Sequence, residues 1–304
     1  MDNLPLGVEA FDHNTAVVSA KSNVILAVFG ESKSGKTHFA VRCQRPLYIA
    51  YLDPNTNLDY HLLNAEKQYP GDVYKLVIPP IRYEDLSKYE AQTRVDRVEE
   101  FAKWARAEAE QAVEAGKPAG TFVIDGCTLL KGYLEKALLG ESTTLGWRPA
   151  KGETGGPNRF AYAQSNAYIR DIVSGFVHSK LDVVLVWEGR PVYSNGELTS
   201  RYKSTMPLQV PFAVNAQVET LVALEPIVEN GVRVGMQAVP ELRIGWNAYS
   251  MDLQDRRMPA VDFATLKDIF LADVPGVVAA EMLRPAGEEV IRANLGSILE
   301  SGEE

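Results

Sequence analysis

The segment VILAVFGESKSGKTHFA, residues 24–40, decides the fold. Its first six residues are apolar, which predicts a short buried strand. GESKSGKT then fits the pattern G-x-x-x-x-G-K-[ST], in which backbone amides and the N-terminus of the following helix surround a phosphate group. We therefore predict a strand, a phosphate-binding loop and a helix in that order.

Each position of this loop has a chemical reason. The glycines allow backbone amides to turn inward around an anion, Lys36 reaches the β- and γ-phosphates, and the Thr37 hydroxyl ligates Mg²⁺. The expected ligands are therefore ATP and Mg²⁺. A glycine-rich turn with an incidental lysine is the alternative. The predicted nucleotide-binding residues are Gly30, Glu31, Ser32, Lys33, Ser34, Gly35, Lys36, Thr37 and His38.

Further apolar runs of strand length alternate with helical patterns along the chain. The predicted strands are residues 46–53, 73–78, 121–125 and 181–188, and the predicted helices are 93–116 and 158–179. Continuous apolar strands that alternate with helices indicate an α/β fold with a mostly parallel sheet covered on both faces. Residues 217–239 alternate about a Glu-Asn-Gly turn, which predicts an antiparallel hairpin at the sheet edge.

Three regions follow from this pattern: a lead segment at 1–23, a core at 24–250, and a helical C-terminal extension at 251–304 with an acidic end. Two stretches rich in glycine, proline and polar residues, 140–157 and 189–210, are predicted loops. Loops on such a scaffold commonly carry function.

Bulk composition excludes several classes of protein. The chain of 304 residues has a formal net charge of −9, which argues against a general polyanion-coating protein but permits a local basic stripe. Its two cysteines are far apart and form no CxxC pair, which disfavours a zinc site or disulfide framework and suits a reducing cytosol. The first residues lack the features of a signal peptide, and the longest apolar run is too short to span a bilayer. We therefore expect a cytoplasmic protein with no membrane partner.

An acidic residue that could bind Mg²⁺ is also expected near the phosphate loop. TFVIDG, residues 121–126, is an apolar strand that ends in Asp125, and the glycine after it leaves room for a nucleotide. Asp125 would then join Thr37 in binding Mg²⁺, often through water. An aspartate that only caps a turn between strand and helix is the alternative.

The order of motifs resembles the RecA-like ATPase core. The chain lacks the N/TKxD segment of GTP-binding proteins and the arginine-rich lid of small-molecule kinases. More narrowly, it looks like the phage-type AAA/RecA-like ATP-binding proteins related to the Sak-type single-strand annealing ATPases. The resemblance covers roughly residues 24–225 and rests on GESKSGKT, FVIDG, NAYIRDIV, VVLVWE and MPLQVPFAVNAQVETLVALE.

The resemblance implies a set of catalytic residues: Lys36, Asn55 and Glu188. In recombinase-type members the second strand ends in Asp-x-Glu, and this chain has Asp53 but carries Asn55 in place of the glutamate. Asn can position water but cannot accept its proton, so at most weak hydrolysis of ATP to ADP and phosphate is expected. The strand after the metal acid ends in Glu188, which could activate water and sense the γ-phosphate. The alternative for Glu188 is a solvated strand end.

The same resemblance suggests that residues 189–210 contact single-stranded DNA. This stretch carries Arg190, Tyr193, Arg201, Tyr202 and Lys203, and cations beside a tyrosine suit phosphates and a stacked base. An ordinary exposed basic loop is the alternative. Arg201, Lys203 or the more distant Arg243 could instead act as an arginine finger on a neighbouring subunit.

Two functions of different classes remain open. The first is an ATP-dependent factor for DNA recombination or single-strand annealing, in the host cytoplasm if phage-encoded, whose subunits assemble as a ring or filament around single-stranded DNA. The second is a nucleotide-binding switch or interaction protein with little turnover and no DNA binding, which Asn55 and the net charge of −9 favour. A small-molecule kinase is disfavoured by the absent lid.

Overall fold

The computed structural model describes residues 23–52, 57–79, 81–82, 85–139, 159–177, 179–194, 197–206, 220–229, 232–241, 258–259 and 262–272. The strands are β1 (Ile25–Gly30), β2 (Leu47–Tyr51), β3 (Val73–Val77), β4 (Thr121–Asp125), β5 (Asp182–Ser194), β6 (Glu197–Ser204), β7 (Thr220–Glu229), β8 (Val232–Glu241) and β9 (Met258–Pro259). The helices are α1 (Lys36–Ala40), α2 (Leu58–Glu66), α3 (Lys88–Glu114), α4 (Cys127–Leu139), α5 (Arg159–Ser174) and α6 (Phe263–Ala272).

Six strands form an all-parallel sheet in the order β3-β2-β4-β5-β1-β7. The fold is therefore mixed α/β and compatible with a P-loop or Rossmann-like core, as the alternation of strands and helices predicts. Beyond β7, the strands β8 and β9 continue the sheet in antiparallel pairing, and β7 pairs with β8 from Leu221↔Glu241 to Glu229↔Val232. The predicted turn at 230–231 lies outside the described residues.

Both faces of the parallel sheet are covered by helices. One apolar cluster joins alternate strand residues to α3, α4 and α5, and contains Phe29 and Phe122. The other joins the opposite strand face to α1, α2 and α6, and contains Phe39 and Phe263. Burial on both faces explains the mostly apolar central strands, because every residue of β1, β2 and β4 and residues 182–187 of β5 are buried.

Helix α3 confirms the predicted helix at 93–116 and begins earlier than predicted. Its start is a capping box, in which the Ser87 hydroxyl accepts from the Glu90 amide at 3.1 Å and the Glu90 carboxylate accepts from the Ser87 amide at 3.1 Å. Its predicted apolar stripe is buried against the sheet. The stripe consists of Val95, Val98, Ala102, Ala105 and Ala109.

The predicted loop at 189–210 is wrong over most of its length. Strand β5 continues to Ser194, and β6 pairs with this extension in antiparallel register, from Gly189↔Ser204 to Ser194↔Glu197. Asn195 and Gly196 lie between the two strands and outside the described residues, but Asn-Gly between two strand runs is a strong hairpin signal. Pro191 is tolerated because the register shifts between Pro191 and Tyr193.

The remaining differences concern α4 and the segments outside the described residues. Helix α4 was not predicted, although its buried residues Leu130, Leu134 and Ala137 recur at helical spacing. Residues 140–157 and 273–304, like 1–22, lie outside the description. Within the predicted helical extension at 251–304, α6 is helical, but β9 is a short strand that pairs with β8 and so belongs to the sheet. Among the described helices, none is both long and apolar enough to cross a membrane.

Helix α6 is attached to the sheet by a buried ion pair at the amino end of β5. Asp182, 2% exposed, accepts from the Lys267 ammonium at 2.6 Å and from the Val24 amide at 2.9 Å. Burial raises the pKa of the Asp182 carboxyl, while the Lys267 ammonium and the Val24 amide act in the opposite direction. Removal of either partner would leave a charge in an apolar layer.

We expect Lys267→Ala to lower the free energy of unfolding by about 2–3 kcal/mol, since Asp182 then loses its countercharge. The matched control is Lys75→Ala, because Lys75 pairs with Asp59 at exposed positions. That change should cost less than about 1 kcal/mol. Urea denaturation followed by circular dichroism measures both. Equal losses in the two variants would show that the Asp182 pair does not anchor α6.

Candidate nucleotide-binding site

The candidate site lies at the carboxyl edge of the parallel sheet, where β5 is inserted between β1 and β4. Gly30 at the end of β1 is the register partner of Glu188, and Asp125 at the end of β4 is the partner of Val186. Neighbouring strands thus bring the start of the phosphate loop, Glu188 and Asp125 to one edge. Ligands of open α/β sheets bind at this edge.

A cavity of about 600 Å³ opens there, a volume typical of small-molecule sites. Its wall includes most of the predicted phosphate loop together with Asp125 and Glu188. Glu31 and Ser34, also predicted to bind nucleotide, do not line it. The lining residues are Gly30, Ser32, Lys33, Gly35, Lys36, Thr37, His38, Asn57, His61, Asp125, Gly126, Thr128, Leu129, Val186, Trp187, Glu188 and Gly189.

The loop is closed by hydrogen bonds of its own. The Lys36 ammonium donates to the carbonyl oxygens of Gly30, at 3.0 Å, and Glu31, at 2.7 Å. Gly35 caps α1 in the left-handed conformation, with φ of 95°, which allows the chain to turn directly into the helix. A phosphate oxygen could replace the carbonyls as the acceptor from Lys36, so the loop is already shaped around this ammonium.

The oxygen atoms on the wall suit a hard cation. Thr37 at the first turn of α1 and Asp125 at the end of β4 are 8% and 2% exposed, and both line the cavity. Among the described residues, no group of three or more His, Cys, Asp or Glu could hold a metal ion. A Mg²⁺ ion here would therefore need phosphate and water oxygens besides these two side chains, which is how this cation is usually bound beside a nucleotide.

Glu188 is exposed and projects from the middle of this edge. Both of its backbone groups are bonded: its amide donates to the Thr128 hydroxyl at 3.0 Å, and its carbonyl accepts from the Thr205 amide at 3.0 Å. The backbone that carries this carboxylate is therefore held in place. Asn55 and Asp53, by contrast, lie outside the described residues, so their predicted positions beside the site stay predictions.

The sequence does not predict several of the cavity residues, among them Asn57 and His61 on α2 and its cap. Asn57 caps α2 by accepting from the Tyr60 amide at 3.2 Å, and His61 lies one turn further along that helix. The ring of His61 is 6.3 Å from that of His38. Burial lowers the pKa of both imidazoles, and for His38 the Arg42 charge and His61 lower it further. Asn57 directly before α2 is a capping signal that the sequence contains. The contact between His61 and His38, by contrast, depends on the tertiary packing of α2 beside α1.

The predicted DNA-contacting residues lie on paired strands. Arg190 is exposed and is the register partner of Lys203, while Pro191 is the partner of Tyr202. Burial raises the pKa of the Glu135 carboxyl on α4, and the charges of Lys131 and Arg190 only partly oppose that rise, so the charge of Arg190 also acts on α4. The structure thus brings Arg190 and the backbone of Lys203 together. Arg201 lies on β6, and Arg243 lies outside the described residues.

No protein-family model matches the chain, and no curated protein matches it. Function must therefore be inferred from the site itself.

We expect Gly189→Ala to weaken Mg–ATP binding roughly fivefold, or about 1 kcal/mol. A Cβ at Gly189 would lie 2.9 Å from the carbonyl carbon of Gly30, whose oxygen accepts from Lys36, so the loop would be displaced. The control is Gly116→Ala, where an added Cβ meets nothing within 4 Å. Because Gly116 has a φ of 69°, alanine there should lower the stability of the fold, but it should leave Mg–ATP affinity unchanged. Isothermal titration calorimetry measures both affinities, and an unchanged affinity in Gly189→Ala would contradict the importance of this contact.

Proposed function

We propose that this chain is a RecA-like ATP-binding protein that holds Mg–ATP in the cavity between β1, β5 and β4. The observation that carries the proposal is the convergence of the phosphate loop, Asp125 and Glu188 on one cavity wall. A lysine, a hydroxyl and two carboxylates at the carboxyl ends of three adjacent strands are the groups that phosphoryl-transfer chemistry requires.

In this proposal the triphosphate lies along the loop between β1 and α1. Lys36 exchanges the carbonyls of Gly30 and Glu31 for β- and γ-phosphate oxygens. The new bonds compensate the loss because the acceptor is then an anion as well as the donor a cation. Thr37 and Asp125 would hold the Mg²⁺ ion, Asp125 directly or through water. The ion supplies charge neutralisation of the phosphates.

Hydrolysis requires a group that orients and deprotonates water. The water oxygen attacks the γ-phosphorus, the bond from that phosphorus to the β–γ bridging oxygen breaks, and ADP and phosphate result. Glu188 is the candidate acceptor of the water proton, because it lines the cavity and β5, which carries it, lies between the phosphate-loop strand and the Asp125 strand. Asn55 replaces the carboxylate expected at the second strand, so turnover is slow.

The proposed role of ATP is to control the binding of single-stranded DNA in recombination or annealing. The β5 extension that follows Glu188 directly carries Arg190, and its partner strand carries Arg201, Tyr202 and Lys203. Cations that contact the phosphates along a nucleic-acid backbone, beside a ring that stacks on a base, suit the binding of single-stranded DNA. Subunits would assemble head to tail around the DNA as a ring or filament.

A second candidate function is a nucleotide switch or interaction protein with little turnover and no DNA binding. Two sequence features favour it: Asn55 in place of a carboxylate, and the net charge of −9. The two functions share the nucleotide site and differ in whether single-stranded DNA raises the rate of hydrolysis. Light scattering also separates them, because the first requires that Mg–ATP, with or without DNA, raises the molecular mass.

Lys36→Ala should reduce Mg–ATP affinity at least tenfold, about 1.4 kcal/mol, because it removes the cation that binds the β- and γ-phosphates. Lys117→Ala, which removes a lysine in the exposed segment between α3 and β4, is the control of equal charge change. Calorimetry of both variants checks the site. Wild-type affinity in Lys36→Ala would reject it.

Turnover should rank Glu188→Gln below wild type, and Asn55→Glu equal to or above wild type. Glu188→Gln should keep ATP binding while it reduces phosphate release roughly 10²-fold, because the amide cannot accept a proton. Phosphate release is measured with and without single-stranded DNA. Wild-type turnover in Glu188→Gln would remove the chemical basis for coupling between the site and β5–β6.

A further inference from the structure

A closed set of hydrogen bonds joins α4, β5 and the end of β6 beside the cavity. The Glu188 amide donates to the Thr128 hydroxyl at 3.0 Å, and the Thr128 and Thr205 hydroxyls lie 2.8 Å apart. The Thr205 amide donates back to the Glu188 carbonyl at 3.0 Å. Two threonine hydroxyls and two backbone groups of one glutamate thus form a small ring, which we call the threonine bridge.

The threonine bridge touches both parts of the candidate site. Thr128 is in the first turn of α4, three residues after Asp125, and it lines the cavity as Glu188 does. Thr205 follows directly on β6, whose other end pairs with the tip of β5. A displacement of Asp125 or of the first turn of α4 therefore reaches β6 through two hydroxyl groups.

The threonine bridge is partly shielded from solvent, so water can replace few of its hydrogen bonds if a hydroxyl is removed. The contact between Thr128 and Thr205 is part-buried, and Met206, the next residue, is 3% exposed. Each such bond contributes about 1 kcal/mol, and a donor left without an acceptor at a buried position costs more than that. A change of about 1 kcal/mol is sufficient to alter a local equilibrium of the paired strands by about fivefold.

We propose that Thr128 is a positioning residue that couples nucleotide occupancy of the cavity to the order of the β5–β6 pair. This inference rests on the proposed nucleotide site. The Thr128 hydroxyl holds the backbone of Glu188 and, through Thr205, the end of β6. A bound Mg–nucleotide complex would pull Asp125 and the start of α4 toward the phosphate loop. Because Thr128 is in that part of α4, the threonine bridge then restrains residues 197–206 as well.

Thr128→Val is the sharpest variant, because valine keeps the branched shape and removes only the hydroxyl. Thr128→Ser keeps the hydroxyl and should behave as wild type. Thr205→Val removes the other hydroxyl of the bridge from the β6 side. The control is Thr93→Val, since Thr93 also lies in the first turns of a helix and its hydroxyl donates to the Tyr89 carbonyl at 3.0 Å, away from the cavity.

The experiment is hydrogen–deuterium exchange of residues 189–206, with and without the non-hydrolysable complex Mg–AMP-PNP, on the full chain. In wild type and in Thr93→Val, the nucleotide should slow exchange in this segment at least fivefold. In Thr205→Val, a change outside the cavity wall, calorimetry should give a Mg–AMP-PNP affinity within threefold of wild type, while the slowing is lost. Because Thr128 lines the cavity, Thr128→Val is compared with wild type at saturating Mg–AMP-PNP, where the slowing should likewise be lost. Thr128→Ser should restore the slowing, and the double variant should add no further loss.

Several results overturn the coupling. If the nucleotide slows exchange equally in Thr128→Val and wild type, the hydroxyl does not transmit occupancy. If wild type binds Mg–AMP-PNP without any slowing at 189–206, the bridge is only structural, and the nucleotide site stands. If wild type does not bind the nucleotide at all, the proposed function fails and the coupling fails with it. Should Thr128→Val fold poorly, Thr205→Val decides the question alone.

Discussion

The parallel pairing of β1 with β5 is the constraint on which the candidate site depends. At the carboxyl end of this pair, Gly30 and Gly189 approach so closely that a Cβ on Gly189 would lie 2.9 Å from the Gly30 carbonyl carbon. Glu188 is consequently beside the first residue of the phosphate loop, and the Asp125 strand packs on the far side of β5. The cavity exists because the sheet joins three strands in that order.

In the proposed function, nucleotide binding and ATP hydrolysis depend on different parts of this arrangement. The phosphate loop is closed by bonds from Lys36 to the carbonyls of Gly30 and Glu31, all within the segment from β1 to α1. In the proposed mechanism water is activated by Glu188, whose backbone is held by Thr128 and Thr205 from outside β5. Substitutions distant from the loop can therefore change turnover while nucleotide affinity is preserved, which is how the two proposed functions could diverge from one scaffold.

The sequence predicts those features whose cause is local. Strand β4 is predicted correctly because the apolar residues Phe122, Val123 and Ile124 follow one another, and all five of its residues are buried. The phosphate loop is predicted from the spacing of its glycines and Lys36. The β5–β6 pair was mistaken for a loop because Pro191 and the Asn-Gly pair are also loop signals, and strand pairing depends on a partner elsewhere in the chain. His61 and Thr128 enter the site only through packing of α2 and α4, which no short motif encodes.

The claim that residues 30–37 bind the β-phosphate of a nucleotide is tested most directly by calorimetry of the wild-type chain with ATP, ADP and AMP in the presence of Mg²⁺. The account predicts that ATP and ADP bind at comparable strength, while AMP, which offers no β-phosphate to Lys36, binds at least roughly 100-fold more weakly, about 2.7 kcal/mol. Equal binding of AMP and ATP, or no binding of any of the three, would contradict it.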